Sequence, residues 1–258
     1  MTRYHPDDLD RRSPDFIASL LPAMEALSRH YLRLHTEGLE HLPQGPALFV
    51  ANHNGGIFGP DLLCTLSVLW RALGPASPLF ALAHDFPMRQ FTPLGRLLQK
   101  LGAVSANRGN ANRILAAGGK VLVYPGGDLE AYRHSSRRNE VILLPRTGFI
   151  EVARANGVPI IPVVVQGAHR CAYIFTEGKA IARFLRLQQW ARLERFPVAF
   201  ALPWGVALGP WLPYLPLPFP LRLRLLPPVH IAADADPLQA ARHVQGLMQQ
   251  ALNEMAAL

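Results

Sequence analysis

Lysine is scarce in this 258-residue chain: Lys100, Lys120 and Lys179 are all there is, so the net charge of +8 is carried mostly by arginine. A basic balance suits anionic partners such as nucleic acid, acidic lipid headgroups or phosphorylated substrates. Arginine also forks onto phosphate in a bidentate way that lysine does not. No continuous basic run with interleaved aromatics is present, which argues against a nucleic-acid partner. Cysteine is limited to Cys64 and Cys171, far apart and in no metal-ligand spacing. That excludes a disulfide framework and a zinc cluster, and it fits a reducing cytosol. No run of about 18 apolar residues lacks both charge and proline, so no spanning helix is expected. The opening residues MTRYHPDDLDRR are polar and lack the pattern of a secretory signal. Any membrane contact is therefore expected to be peripheral. Also absent are a G-x-S-x-G elbow, a G-x-G-x-x-G turn and a Walker loop.

Half of the residues are hydrophobic and 24 are proline. This length fits one large α/β domain better than two. Ser13-Pro14 reads as an N-cap followed by proline at the first helical position. Apolar residues from Phe16 to Leu34 then recur at helical spacing, with Pro22 expected to kink the helix. That helix either packs on the domain or lies in a membrane interface with Arg29 and Arg33 toward headgroups. Residues 1–36 form an N-terminal helical segment on this reading, and 37–258 the main domain. Strands are expected at 47–51, 78–83, 104–106, 121–124 and 159–166. Helices are expected at 61–73, 93–101, 110–117, 147–156 and 237–258. This alternation predicts a mixed, largely parallel central sheet flanked by helices, with chemistry at the carboxyl ends of strands. Prolines every few residues exclude a regular helix in 203–228. That segment is either a cap over the core or an aromatic ledge, with Trp204, Trp211, Tyr214 and Phe219, that dips into lipid.

Two loops directly follow strands and carry the candidate chemistry. In Asn52-His-Asn-Gly-Gly-Ile-Phe-Gly-Pro-Asp61, His53 is placed to take a proton near neutral pH, and Asp61 could hold its tautomer. Gly55 and Gly56 would let backbone approach a ligand. In Pro125-Gly126-Gly127, exposed N–H groups could hold an anion or a developing oxyanion. Glu130 and Arg133 follow at helical spacing, where pairing with each other is the plainer alternative. Arg108 is expected in a loop before a helix N-terminus, a natural phosphate position. A base with no evident protein nucleophile favours direct activation of a substrate hydroxyl or water.

With these pieces in order, the chain resembles the glycerolipid acyltransferase superfamily, which includes lysophosphatidic acid acyltransferases. Four ordered blocks carry the likeness: EGLEHLPQGPALFVANHNGG, GAVSANRGNANRIL, VLVYPGGDLEA and TGFIEVARANGVPIIPVVVQG. There are departures. The usual first block is H-x4-D, whereas Phe58 stands at that Asp position and the next acid is Asp61. In the third block Gly126 replaces a glutamate and Leu129 an arginine. These forms look more like the monoacylglycerol and diacylglycerol acyltransferase branch. The resemblance implies a glycerol-3-phosphate acyltransferase-like fold at the cytoplasmic face of the membrane. It implies His53 as general base, Asp61 orienting it, and Asn52, Gly55, Gly56, Arg108, Pro125, Gly126, Gly127 and Glu130 around the substrates. An acyl-CoA or acyl carrier protein thioester would donate to a lipid hydroxyl, with no cofactor, metal or covalent acyl-enzyme. Asp85 competes with Asp61 as the partner of His53, and His169 and Arg170 could line the same cleft. A hydrolase and a non-catalytic lipid-binding module are the alternatives.

Overall fold

The computed structural model describes residues 4–54, 56, 59–89, 92–191, 193–209 and 214–257, without the side chains of Phe86, Pro87 and Trp190. In chain order the elements begin with α1 (Pro14–Ala26), β1 (His35–Glu37), β2 (Ala47–Ala51), α2 (Pro60–Leu73), β3 (Leu79–Ala83), α3 (Asp85–Arg89) and α4 (Thr92–Lys100). They continue with β4 (Ala103–Ser105), α5 (Arg108–Ala116), β5 (Lys120–Val123), α6 (Gly127–Ala131), α7 (Gly148–Asn156) and β6 (Ile160–Gln166). The remainder comprises β7 (Tyr173–Thr176), α8 (Lys179–Phe184), α9 (Leu187–Trp190), β8 (Val198–Ala201), β9 (Gly205–Leu208), β10 (Arg222–Leu225) and α10 (Pro237–Ala256).

Seven strands form one sheet in the order β1-β10-β6-β2-β5-β3-β4, and every neighbouring pair is parallel except β10 with β6. The central strands β2 and β6 are buried along their whole length, as expected of strands covered on both faces. Side chains alternate across the sheet with period two. Leu48 and Val50 face a core completed by Ile114, Ile150 and Met248 of α5, α7 and α10. Phe49 and Ala51 face the opposite core, with Ile17 and Leu21 of α1 and Trp70 of α2. Residues 14–37 thus share a core with the main sheet. At about 25 cal/mol per Å² of apolar surface, burying one side chain such as Phe49 contributes roughly 2–3 kcal/mol.

Local chemistry places the helix ends. Ser13 accepts from the Phe16 amide, Asn107 from Asn110, and Asp236 from Gln239. Gly157, at φ +61°, stops α7. Two expectations are corrected. The N-terminal helix ends at Ala26 and widens into a π turn over Leu27–Tyr31, just beyond Pro22. The α5 helix begins at Arg108, because Asn107 is its cap. The segment 203–228 holds no helix among its described residues and contains β9 and β10. β10 enters the main sheet between β6 and β1, while β9 joins a separate antiparallel sheet in the order β7-β8-β9.

Candidate active site

The loop after β2 is held at the centre of the sheet, between β5 and β6. Its first residue, Asn52, uses both amide atoms on the backbone of Val165 in β6, donating to its carbonyl at 3.1 Å and accepting from its N–H at 2.8 Å. Asn52 is therefore a splint across two strands rather than a group aimed at a ligand. His53 follows, with its Nδ1 2.8 Å from the Asp61 carboxylate. Asp61 lies in the first turn of α2, is fully buried, and also accepts from the Asn54 amide at 2.9 Å. The turn needs glycine at position 59, since a Cβ there would lie 2.2 Å from the Asn54 carbonyl and 2.3 Å from Asp61.

A carboxylate accepts, so Nδ1 carries the proton and Nε2 is the basic nitrogen. Burial alone lowers the imidazole pKa, but the Asp61 charge and hydrogen bond, with Glu130 adding to them, outweigh it and leave it raised. The Tyr124 ring packs 4.7 Å from that of His53, centroid to centroid.

Glu130 and Arg133 do not simply pair with each other. The fully buried Glu130 carboxylate accepts from the His53 amide at 2.8 Å and from the Ile142 amide at 2.9 Å. Burial raises its pKa to about 7 against the lowering charge of Arg133. Arg133, equally buried, donates to the carbonyls of His53, Glu130, Arg137 and Arg138 and to the Asn54 side chain. The two residues therefore clamp the histidine loop from beneath, a role that spacing alone did not reveal. His169 is buried under the same loop, its Nε2 2.9 Å from the Arg133 carbonyl. Burial, reinforced by Arg133, lowers its pKa to about 3, so it stays neutral. His169 is thus a support and not a cleft residue, while Arg170 is exposed.

The remaining candidates fall as follows. Gly55 and Phe58 lie outside the described residues. Gly56, at φ +90°, donates to the Ala131 carbonyl at 3.0 Å, which ties the loop to α6. The Pro-Gly-Gly turn is packed more tightly than an open anion cradle. The Gly127 amide is turned back to the Tyr124 carbonyl at 3.1 Å, and a Cβ on Gly126 would meet Glu130 and the Ile142 carbonyl, each at 2.3 Å. Asp85 pairs with Arg89 at 3.2 Å, so it is Asp61 that the fold brings to His53.

Arg108 is the first residue of α5, not part of the preceding loop, and its guanidinium pairs with Glu151. It lines a cleft of about 370 Å³ whose mouth also holds Asn107, His84, Asp85 and Arg146, with Tyr124 and Pro125 in one wall. Leu48, Leu82 and Val123 give this cleft an apolar depth. Arg146 was not anticipated. It donates to the Pro125 carbonyl at 3.0 Å and pairs with Asp128 at 3.2 Å, and its side chain remains partly exposed. The only sequence signal was an arginine just ahead of the fourth block. A larger groove of about 660 Å³ beside α1 and α2, lined by Glu25, Arg29 and Arg71, contains none of these residues. Among the described residues no cluster of three or more His, Cys, Asp or Glu is placed to hold a metal ion.

A carboxylate-oriented histidine stands at the carboxyl end of a central parallel strand, and its ring neighbour Tyr124 lines a cleft with arginines and apolar side chains, an arrangement chemically able to take a proton from a hydroxyl. Residues 33–166 match the Acyltransferase family model, and the chain belongs to that family. Two mycobacterial proteins described only as uncharacterised are similar. One from Mycobacterium tuberculosis is 29% identical over 206 residues, covering 76% of this chain and 57% of that protein. One from Mycobacterium leprae is 27% identical over 200 residues, covering 74% and 54%. The chain thus spans little more than half the length of these relatives. Among solved structures, the 1-acyl-sn-glycerophosphate (LPA) acyltransferase PlsC from Thermotoga maritima matches with a TM-score of 0.56 and 16% identity. The match covers 93% of this chain and 82% of PlsC, and it shows the shared fold.

Proposed function

We propose that this chain transfers a fatty acyl group from the thioester of acyl-CoA or acyl carrier protein to a hydroxyl of a glycerolipid or lysophospholipid, with His53 as general base. The observation that carries the proposal is the 2.8 Å bond between His53 Nδ1 and a fully buried Asp61. Nε2 takes the proton of the acceptor hydroxyl as its oxygen attacks the thioester carbonyl. The tetrahedral intermediate collapses, the carbon–sulfur bond breaks, and the thiolate leaves and recovers the proton from His53. Asp61 acts through His53, fixing its tautomer and stabilising the imidazolium. The acceptor is proposed to carry an anionic headgroup, since Arg108 and Arg146 both reach the mouth of the cleft. PlsC, whose fold this chain shares, is a 1-acyl-sn-glycerophosphate (LPA) acyltransferase. We further propose a role in phospholipid synthesis at the cytoplasmic membrane surface, with peripheral attachment. Among the described residues no helix is long and apolar enough to cross a membrane.

The test is incubation of purified protein with acyl-CoA, or acyl carrier protein thioester, and a panel of lysophospholipids, mono- and diacylglycerols. Lipid products and free thiol are followed by mass spectrometry. A new acylated lipid that vanishes in His53→Ala supports the proposal. Thiol release accompanied only by free fatty acid would make the chain a hydrolase. Lipid binding that is indifferent to His53→Ala, with no turnover, would make it a binding module.

A further inference from the structure

Residues 196–221 contain no charged side chain and no serine, threonine, asparagine or glutamine. At the chain's 17% charged share, 26 residues should carry about four charges. Such a stretch would be unremarkable in a core, but much of this one is exposed. In the β7-β8-β9 sheet the register sets Tyr173 opposite Phe200 and Phe200 opposite Val206, in one row across three strands. All three are exposed, Val206 at 61%. The alternate residues Ile174, Ala201 and Ala207 are buried, so one face of the sheet packs on the protein and the other turns Tyr173, Phe200 and Val206 outward. Phe175, Leu208 and Trp204 extend the same exposure. The α8 helix adds Ile181 and Phe184, and Leu185 at its C-terminal cap, with Phe184 85% exposed.

Cations flank this surface. Lys179, Arg183 and Arg186 line one cleft on α8 and the turn to α9. Residues 177–195 hold five basic and two acidic side chains. The segment that holds α8 leaves and rejoins the small sheet at one point, where the Phe196 amide donates to the Glu177 carbonyl at 3.0 Å.

We infer that the outer face of β7-β8-β9, with α8, is the surface by which this protein docks on an anionic lipid bilayer. This deepens the proposed function and rests on its membrane part. Apolar and aromatic side chains enter the interface, where Trp and Tyr are favoured, and the adjacent cations meet lipid phosphates. A second copy of this chain is the poorer occupant, because it would bring the same cations against themselves. The docking face is tied by three hydrogen bonds to residues 128–135, the segment whose Glu130 and Arg133 hold the histidine loop. Ile174 N–H donates to Ser135 Oγ at 2.8 Å, His134 N–H to Glu177 at 3.3 Å, and Glu194 N–H to Asp128 at 2.6 Å. Ser135 and His134 directly follow Arg133, and Asp128 lies in α6. Docking there would present the bilayer next to the site that consumes its lipid.

The experiment is flotation with vesicles of phosphatidylcholine containing about one-third phosphatidylglycerol, beside pure phosphatidylcholine, with folding checked by circular dichroism. Phe184→Glu with Val206→Glu is expected to weaken partitioning about tenfold or more, whereas Leu238→Glu, an exposed apolar site on α10, leaves it unchanged. Arg183→Glu with Arg186→Glu is expected to abolish the preference for anionic vesicles. Transfer between a short-chain thioester and a monomeric acceptor persists in all three. His53→Ala floats like the parent; if no acceptor is ever acylated but this flotation pattern holds, the docking surface stands and the acyl-transfer proposal falls. The inference is overturned if the parent does not float, or if Phe184→Glu with Val206→Glu floats equally well. It is also overturned if that pair converts a dimer to a monomer without changing flotation.

Discussion

The histidine loop and the β7-β8-β9 sheet differ in where their polar atoms go. In the loop, almost every polar group is buried and turned inward. Asn52 is spent on Val165, Asn54 on Asp61, Val165 and Arg133, and Glu130 on two backbone amides. One imidazole nitrogen is left for chemistry. In the sheet the pattern is reversed, with large apolar groups outward and scarcely a polar side chain to satisfy. Buried polar networks are rigid because each unmade bond costs about 1–3 kcal/mol. Exposed apolar faces in a well-packed chain mark places where something else completes the burial. On the proposed function, the first region carries the chemistry and the second the delivery of lipid.

The largest break in that comparison is His53→Ala, expected to lower kcat/KM about 10³- to 10⁴-fold while leaving vesicle binding and the circular dichroism spectrum unchanged. Appreciable residual turnover would remove His53 from the role of base. Asp61→Asn comes next, at about 10²- to 10³-fold, because Asp61 positions the proton acceptor and does not itself take the proton. Its pH profile carries the sharper information. The rate needs neutral His53, so it falls as pH drops through the raised imidazole pKa. In Asp61→Asn the main raising influence is gone while the lowering effect of burial remains, so this acidic limb moves to lower pH. Glu130→Gln removes a smaller raising charge and should move the limb less, in the same direction. A limb that stays put in Asp61→Asn would show that another group controls the rate.

How much of this was legible in the sequence depended on burial and length. β2, β5 and β6 show as apolar runs because helices cover both faces. β1 is three residues, His-Thr-Glu, at the sheet edge, too short and polar to signal a strand. β9 was hidden among prolines and glycines. β10, with Arg-Leu-Arg-Leu, alternates with period two, but four residues between prolines are too short a run to stand out as a strand. At the site, His53 and Asp61 were legible because eight residues link strand, loop and helix start. Arg133 was visible only as a helical neighbour of Glu130, since its bonds to His53 and Asn54 join residues about eighty positions apart. Arg146 was missed because the contact that matters, with Pro125, joins residues far apart in the chain.

Arg146→Ala sharpens the boundary between binding and chemistry within the first region. It should raise KM for a phosphate-bearing acceptor about tenfold with kcat little changed, and have a smaller effect on a neutral diacylglycerol. Steady-state kinetics on the two acceptors separates the cases. An equal loss on both would mean that Arg146 serves the turn, through Pro125 and Asp128, and not the headgroup.

The smallest effect comes from making one substitution in both regions. Val163 in β6 is fully buried, and Val206 in β9 is 61% exposed. Valine and threonine have the same shape, so exchange replaces a methyl with a hydroxyl and leaves packing volume almost unchanged. At Val163 the hydroxyl enters a core of Phe49, Trp70 and Leu225, and the expected cost is about 1–3 kcal/mol. At Val206 the hydroxyl meets water and strand propensity is kept, so denaturant unfolding should place the change within about 0.5 kcal/mol of zero. Adding vesicles should then reveal a difference that unfolding in buffer does not, because only the bilayer withdraws Val206 from water. If Val206→Thr instead destabilises the protein in buffer as much as Val163→Thr does, that face is already covered in solution. The contrast between an inward polar loop and an outward apolar sheet would then describe a self-associated form and not a monomer awaiting a membrane.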